Sequence, residues 1–343
     1  MAKSSVPPHK LSPASKAMVK KVLAFIRKHD NFLVSGHVRS DGDALGSQLA
    51  FHHLLKKLGK KSQVVCDQGA LPDYRFLPGS DRVGSGPEDL GTKKYSAVFT
   101  FDSGSWERLE RISAALPREE LTVVNVDHHA SNERFGDINW VDPTFSACGE
   151  MVWELVKASG VKPDQNIATC VYTTIVTDTG RFSFSNTTTE THLNAAELLS
   201  YGVKPGAIHN ALYRQRTKEQ LAYLAEVLGR IRYSDDGKVG WVVISRELEK
   251  KVGTPPGDTQ EYIDHVKSIK GVRVAVLLKE TDEPGKVKVS WRTDAGIDGI
   301  ALASKYKGGG HPRASGATFR GTIEEAERVI VDETIRFVQE HAS

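Results

Sequence analysis

The sequence contains four groups of aspartate and histidine residues whose spacing suits metal-assisted hydrolysis. They are His37, Asp41 and Asp43; Asp102; Asp127, His128 and His129; and Asp178. Together they supply enough oxygen and nitrogen ligands for two metal ions about 3.5–4 Å apart, which is the arrangement used for in-line attack by water at phosphorus. The sequence therefore predicts a two-metal site that hydrolyses phosphate esters.

Each group also has a structural explanation that must be weighed. An aspartate that follows a strand is favoured as a helix N-cap, and Asp41, Asp43 or Asp102 could serve in that role alone. Asp178 is harder to explain, because it ends an apolar helix where the helix dipole disfavours an acid and a nearby cation would compensate. Two adjacent histidines at a strand end have no obvious role in a core. The four groups taken together favour the metal site.

The elements that must position these residues follow from the apolar pattern. Continuous apolar runs predict strands at 32–34, 62–66, 96–101 and 121–126. Because the runs do not alternate with polar residues, both faces of the sheet should be covered. Strands separated by helices predict an α/β fold with a doubly wound parallel sheet. Ligands bind beyond the carboxyl ends of such strands, where His37, Asp102 and Asp127 lie.

The rest of the chain predicts a helical region and then a second, smaller α/β region. Helices are predicted near 146–158, 164–177, 188–200, 205–213 and 217–231, with no strand between them. Later strands are predicted at 239–245, 272–279 and 286–292, with helices near 258–269 and 296–306 and a final helix that opens with a capping box at Thr322 and Glu325. We expect a flexible tail at 1–14, a catalytic domain at 15–190, a helical connector at 191–236 and a substrate-binding domain at 237–343.

Composition narrows the class of protein. The 343 residues are 39% hydrophobic and 26% charged, which is typical of globular domains. The formal net charge of +3 argues against a large basic surface for long duplexes but permits a local basic pocket. The sequence shows no apolar run of membrane-spanning length and no secretory signal. Cys66, Cys148 and Cys170 stand singly in apolar stretches, which predicts buried free thiols in a cytoplasmic protein.

These motifs resemble those of the DHH phosphoesterase superfamily. The segment from Gly308 to Gly316 resembles the glycine-rich signature of the DHHA1 domain, and the likeness covers the chain from about residue 15 to 335. The segments LPDYRFLP and TDTGRFSFSNT resemble the NrnA-like subgroup, described as bifunctional oligoribonucleases and phosphatases of 3′-phosphoadenosine 5′-phosphate (pAp). Ser40 departs from the pattern, because proline is expected there. This change concerns the stiffness of the loop and not a ligand.

The resemblance implies a role for each group. One metal would be held by His37, Asp41 and Asp102, and the second by Asp43, Asp102, His128 and Asp178. Asp102 would bridge both ions, Asp127 would orient a ligating imidazole, and His129 would face the scissile phosphate. Such ligands suit two Mn²⁺ ions, for which Mg²⁺ or Co²⁺ could substitute.

The glycine-rich segment is predicted to bind substrate phosphate. Gly308, Gly309 and Gly310 offer backbone N–H groups without side chains in the way, and His311 and Arg313 follow at once. Arg292 ends the preceding strand and could pair with phosphate or stack on a base, while its neighbour Trp291 should face the core. The alternative is a flexible loop between a helix and a strand.

The expected function is a metal-dependent phosphodiesterase and phosphatase. Its substrates would be short single-stranded RNA (nanoRNA), hydrolysed to 5′-mononucleotides, and pAp, from which it removes the 3′-phosphate. We expect no membrane and no long duplex as a partner, and a homodimer is left open. One alternative is a cyclic-di-AMP or pApA phosphodiesterase, and another is a non-catalytic nucleotide sensor, which the filled ligand positions disfavour. An inorganic pyrophosphatase is disfavoured by the glycine-rich signature.

Overall fold

The computed structural model divides the chain into two compact units, Met1–Gln215 and Arg216–Ser343. It describes residues 11–91, 94–252, 260–311 and 313–341, with only the backbone at 260, 261 and 311. The predicted connector at 191–236 is divided between the units, since the helix Pro205–Tyr213 belongs to the first and the helix Lys218–Leu228 to the second.

The first unit is built on a six-stranded parallel sheet with strand order β3-β2-β1-β4-β5-β6. Its strands are β1 Phe32–Gly36, β2 Ser62–Cys66, β3 Gly84–Ser85, β4 Ala97–Phe101, β5 Thr122–Asp127 and β6 Ile138–Val141. Its helices are α1 Pro13–Lys28, α2 Gly42–Lys57, α3 Arg111–Ala115, α4 Cys148–Ser159, α5 Gln165–Asp178, α6 Thr189–Leu199 and α7 Pro205–Tyr213.

Burial explains this arrangement. Strands β1 and β4 are buried at every position, so helices cover both faces of the sheet, and the predicted doubly wound parallel sheet is confirmed. The two edge strands β3 and β6 were missed. Strand β3 has only two residues, and β6 alternates buried and half-buried residues because it lies at an edge. The predicted buried free cysteines, Cys66, Cys148 and Cys170, are confirmed.

The second unit carries a smaller mixed sheet with strand order β11-β12-β10-β9-β8-β7, in which only β8 and β9 are parallel. Its strands are β7 Arg232–Tyr233, β8 Val239–Ile244, β9 Val274–Glu280, β10 Lys286–Thr293, β11 Gly309–His311 and β12 Ala314–Arg320. Its helices are α8 Lys218–Leu228, α9 Arg246–Val252, α10 Gln260–Lys267, α11 Gly299–Ser304 and α12 Ile323–His341.

One local prediction for this unit, and one alternative left open by the sequence, can be compared with the structure. The capping box before α12 is confirmed, since Thr322 and Glu325 exchange hydrogen bonds from backbone to side chain. The glycine-rich segment is not a flexible loop, because β11 pairs with β12 as an edge hairpin that was not predicted. None of the helices among the described residues combines the length and the apolar character that crossing a membrane requires.

Candidate metal centre

The predicted ligands converge at one edge of the first unit. Strands β1, β4 and β5 are neighbours in the sheet, α2 begins at the same edge, and α5 ends there. Their side chains form three overlapping groups whose ligand atoms lie within 4.8 Å of one another. The groups are His37, Asp41 and Asp102; Asp43, His128 and Asp178; and Asp102, His128 and His129.

Asp102 stands between these groups. Its Oδ2 lies 3.5 Å from His37 Nε2, and its Oδ1 lies 3.4 Å from both His128 Nε2 and His129 Nδ1. The residue adopts a left-handed backbone with φ of 55°, held by a hydrogen bond from its N–H to the Val126 carbonyl. Such strain in a residue other than glycine costs about 1–3 kcal/mol and is concentrated at functional sites. The backbone thus aims one carboxylate at both groups.

Backbone carbonyls fix the two buried imidazoles. His37 donates from Nδ1 to the carbonyl of Val38 at 2.7 Å, and His128 donates from Nδ1 to the carbonyl of Phe145 at 3.2 Å. With Nδ1 on a carbonyl, each Nε2 is directed toward the carboxylates. This is the second hydrogen bond that orients histidine ligands in metal proteins.

Asp41 has the capping role and the site role at once. Its Oδ1 accepts the backbone N–H groups of Asp43 and Ala44 at 3.0 Å, so it is the N-cap of α2. The same oxygen lies 3.8 Å from His37 Nε2. The helix cap therefore does not compete with a ligand role.

Asp43 faces the other group and joins two helices. It is 1% exposed, and it accepts the backbone N–H groups of Cys148 at 2.7 Å and Gly149 at 3.0 Å, at the start of α4. Its Oδ2 lies 3.6 Å from His128 Nε2. Asp41 and Asp43, two residues apart, thus point at different groups.

Asp178 completes the second group from the end of α5, with Oδ2 at 3.6 Å from His128 Nε2. Asn186 donates from Nδ2 to the carbonyls of Asp178, at 3.1 Å, and Ser146, at 3.0 Å. No role was predicted for Asn186 from the sequence, although this residue lies in the segment TDTGRFSFSNT.

Asp127 is fully buried and contacts the imidazole of His129. Its Oδ1 lies 2.8 Å from Nδ1 of His129, and Asn132 donates from Nδ2 to its Oδ2 at 2.5 Å. The Nδ1 atoms of His37 and His128 contact carbonyls instead, so the expectation that Asp127 orients a ligating imidazole stays a prediction. Asp127 therefore fixes the more exposed His129, and Asn132 is a further supporting residue that the sequence did not indicate.

Burial and like charge dominate the electrostatics of the carboxylates. Burial, reinforced by the charges of Asp102 and Asp178, raises the pKa of Asp43 well above its usual range. Burial likewise raises the pKa of Asp178 to about 7. Asp102 differs, because its close contacts with the imidazoles of His128 and His37 outweigh its burial and lower its pKa. Without a cation, this centre must retain protons.

Burial acts on the pKa of the imidazoles in the opposite direction, but their contacts with the carboxylates reverse this effect. Burial alone would lower the pKa of His37, but hydrogen bonds to Asp102 and Asp41 raise it to about 10. The pKa of His129 is also raised, because its hydrogen bond to Asp127 outweighs burial. The carboxylates thus attract positive charge to this edge of the sheet.

Within the described part of the chain, two buried atoms at the centre have no hydrogen-bond partner, Asp102 Oδ1 and His128 Nε2. An unsatisfied buried polar atom costs about 1–3 kcal/mol. Both atoms are ligand types for divalent metals, and they face each other across 3.4 Å. The residues present therefore fit a metal centre.

The predicted substrate residues of the second unit have structural roles as well. A Cβ on Gly308 would lie 2.2 Å from the carbonyl oxygen of Gly316, and Gly310 has a φ of 133°. These glycines therefore allow β11 to approach β12 closely. Among the described residues, nothing lies within 4 Å of a Cβ placed on Gly309.

The arginines near this hairpin differ in their surroundings. Arg292 pairs with Asp264, Nε to Oδ1 at 3.3 Å, and Arg313 is exposed. Trp291 is buried and donates from Nε1 to Thr334 Oγ1 at 3.1 Å, so the prediction that it faces the core is confirmed. The side chain of His311 lies outside the described residues.

Comparisons with known proteins agree with this architecture. Residues 31–175 match the model of the DHH family, N-terminal domain, and residues 236–340 match that of the DHHA1 domain. The chain is 35% identical to the bifunctional oligoribonuclease and PAP phosphatase NrnA of Thermus thermophilus, over 87% of both chains. It is 30% identical to the protein of that name in Bacillus subtilis, over 92% of this chain and 97% of the other. A crystal structure of an exopolyphosphatase-related protein from Bacteroides fragilis superposes with a TM-score of 0.87 at 25% identity, over 95% and 97% of the two chains.

Proposed function

Because the chain belongs to the DHH family, we propose that it is a metal-dependent phosphoesterase with two substrates. It hydrolyses short single-stranded oligoribonucleotides to 5′-mononucleotides, and it removes the 3′-phosphate of pAp. The relatives from Thermus thermophilus and Bacillus subtilis carry both activities in their names and align with this chain over most of its length. They favour this function over a cyclic-di-AMP phosphodiesterase or a non-catalytic sensor.

The observation that carries the proposal is the position of Asp102. One carboxylate faces His37 on one side and His128 on the other, and its buried Oδ1 has no hydrogen-bond partner among the residues that the structure describes. A carboxylate shared between two ligand groups is what a pair of metal ions requires. A purely structural aspartate would have its oxygens satisfied by protein donors.

The residues divide into two proposed ligand sets, with Asp102 common to both. One set is His37, Asp41 and Asp102, and the other is Asp43, Asp102, His128 and Asp178. The preponderance of carboxylates favours Mn²⁺, with Mg²⁺ or Co²⁺ as substitutes. When bound, the ions would supply Lewis acidity toward water and a phosphoryl oxygen.

His129 would act directly on the substrate. Asp127 holds Nδ1, which leaves Nε2 on the more exposed side of a ring whose side chain is 31% accessible. The raised pKa favours the protonated imidazole, which can donate a hydrogen bond to a phosphoryl oxygen. Asp127 would maintain this orientation and charge.

The second unit would bind the part of the substrate that does not react. Arg292, the glycines 308–310, His311 and Arg313 are the proposed contacts. Arg292 is already held by Asp264, so a substrate phosphate would have to compete with that carboxylate. Gly309, which pairs with Gly316 at the edge of the sheet, is exposed.

A substrate panel tests the function. Purified protein with Mn²⁺ would be given RNA dinucleotides, pAp, pApA and cyclic-di-AMP, and the products would be separated by chromatography. We expect turnover of the RNA dinucleotide and pAp, with 5′-mononucleotides as products, and loss of activity on chelation. Preferential turnover of cyclic-di-AMP would favour the alternative enzyme, and full activity after exhaustive chelation would exclude the metal mechanism.

A further inference from the structure

The segment between Asp178 and Asn186 has an unusual backbone. Three successive residues, Gly180, Arg181 and Phe182, have φ of 54°, 63° and 65°. A left-handed conformation is unfavourable for residues with a Cβ, and it persists only where the surroundings impose it. Two such residues in succession, immediately after a predicted metal ligand, indicate a conformation retained for function.

Hydrogen bonds hold this segment rigidly. The Thr179 carbonyl accepts the N–H groups of Ser183 at 3.0 Å and Phe184 at 2.9 Å, and Thr179 Oγ1 accepts that of Phe182 at 2.9 Å. At the far end, Asn186 is bonded to the carbonyl of Asp178. The segment is therefore fixed relative to the metal centre.

Arg181 is the exposed cation that this backbone presents. Its guanidinium carbon lies 4.8 Å from the centroid of the Tyr213 ring, a stacking distance. Among the residues that the structure describes, no carboxylate forms an ion pair with Arg181. Stacking restrains the plane of the guanidinium and leaves its N–H edge available for an anion.

The ring beneath Arg181 is connected to the other side of the centre. Tyr213 ends α7, which packs against the short helix Pro72–Tyr74. The Tyr74 hydroxyl interacts with the backbone of Gly42, next to Asp41. Arg181 is thus linked to the metal centre through Asp178 along the chain and through Tyr213 and Tyr74 in space.

We propose that Arg181 binds a second, non-reacting phosphate of the substrate and so selects nucleotides that carry two phosphate groups. This inference rests on the proposed function. A planar guanidinium can form paired hydrogen bonds to phosphate. Beyond the phosphate that reacts, a further one is carried by pAp and by oligonucleotides that have a 5′-phosphate or at least three nucleotides. Esters with a single phosphate would not gain from this contact.

The test uses Arg181→Gly, because glycine accepts the left-handed backbone and removes only the side chain. We expect KM for pAp to rise about ten- to hundredfold, the usual effect of losing a charge-assisted contact. Hydrolysis of bis-p-nitrophenyl phosphate, which has one phosphate, should stay within about twofold of wild type. The melting temperature should be unchanged or higher, whereas a merely structural role would lower it.

Two further variants sharpen the result. Arg181→Lys keeps the charge but not the planar fork, so its KM for pAp should be intermediate. Arg214→Ala removes an exposed arginine next to Tyr213 and should behave as wild type. An equal rise in KM for Arg214→Ala, or a parallel loss with both substrates in Arg181→Gly, would overturn the proposal.

Failure of this inference can be separated from failure of the proposed function. Wild-type turnover of pAp and RNA dinucleotides tests the function by itself. If the wild type turns over pAp and Arg181→Gly has a normal KM, only the role of Arg181 is wrong. If the wild type does not turn over pAp, binding of pAp can still be measured. The measurement is the inhibition constant of pAp as an inhibitor of bis-p-nitrophenyl phosphate hydrolysis. That constant should rise in Arg181→Gly, and an unchanged constant or no inhibition would reject the inference.

Discussion

Asp102 shows how one residue can concentrate the chemistry of a site. Its strained backbone, its burial and its unpaired Oδ1 each lower the stability of the folded protein. A protein retains such features where function requires them. Its two oxygens also lie 3.5 Å from His37 Nε2 and 3.4 Å from His128 Nε2.

At the scale of the single residue, Asp102→Asn should remove most activity while the fold persists. The amide has the shape of the carboxylate but lacks the charge that two cations need, so turnover should fall at least about 10³-fold. Metal analysis should find fewer than two ions per chain. Asp164→Asn is the matched control, because Asp164 is the N-cap of α5, pairs with Lys57 and belongs to none of the three ligand groups, and it should keep metal and activity. Normal metal content in Asp102→Asn would show that Asp102 has only a structural role.

His129→Ala should separate binding of metal from catalysis. Because Asp127 holds this imidazole, we expect kcat to fall about 10²–10³-fold with metal content near normal. Metal analysis and steady-state kinetics on the same sample check this expectation. Since His129 Nδ1 also lies 3.4 Å from Asp102 Oδ1, loss of one ion would instead make His129 a ligand.

At the scale of elements, the site depends on a close approach of α2 and α5. These helices carry Asp43 and Asp178, and their contact passes over Gly46. A Cβ on Gly46 would lie 2.6 Å from Thr174 Cγ2 and 2.9 Å from the carbonyl oxygen of Cys170. Because backbone blocks one side, the helices would have to separate to admit even a methyl group.

Gly46→Ala should therefore destabilise the protein by about 1–3 kcal/mol, the usual cost of overpacking. Metal affinity should fall too, because ligands on both helices would shift. Gly206→Ala in α7 is the control, since its Cβ would meet open space, and it should be neutral or slightly stabilising. Denaturant unfolding and metal titration measure both effects. Equal stability in the two variants would show that the contact is not tight.

At the scale of the whole molecule, metal binding should be linked to pH. In the metal-free protein the pKa of Asp178 is raised to about 7, so this carboxyl group disfavours folding increasingly as pH rises from about 4 to 7. His37, with its pKa raised to about 10, is also protonated at neutral pH. A metal must displace these protons, so its apparent affinity should increase as pH rises.

We therefore expect Mn²⁺ to release protons when it binds and to raise the melting temperature more at pH 8 than at pH 6. Calorimetric titration in buffers of different ionisation enthalpy would measure the protons, and scanning calorimetry would measure the stabilisation. The same heat in every buffer, with a shift in melting temperature independent of pH, would contradict the linkage.

The two units should also differ in their kinetic roles, with the second unit contributing to substrate binding and not to the chemical step. Arg292→Ala should raise KM for nucleotides about ten- to hundredfold and leave kcat for bis-p-nitrophenyl phosphate roughly unchanged. Lys288→Ala is the control, because it removes a cation from the same face of β10. Equal losses with both substrates would show that Arg292 supports the fold or the chemistry.

Much of the first unit was predictable from the sequence because its signals are local. Continuous apolar runs predicted β1, β2, β4 and β5, and helical periodicity predicted α4 to α8. The strands β3, β6, β7, β11 and β12 were missed. Several are short edge strands, and β11 and β12 carry glycines and small residues that read as a loop. Their pairing is formed by distant partners, which a local pattern does not contain.

The ligand types, and the edge of the sheet where they meet, were determined by the sequence, because parallel strands direct their carboxyl ends to one side. Which atoms face one another was decided only by the tertiary structure. The pairing of Asp127 with His129, the Phe145 carbonyl behind His128 and the left-handed backbone at Asp102 depend on strands and loops packed in three dimensions. Hydrogen bonds of this kind act over a few ångströms in space, whatever the separation along the chain.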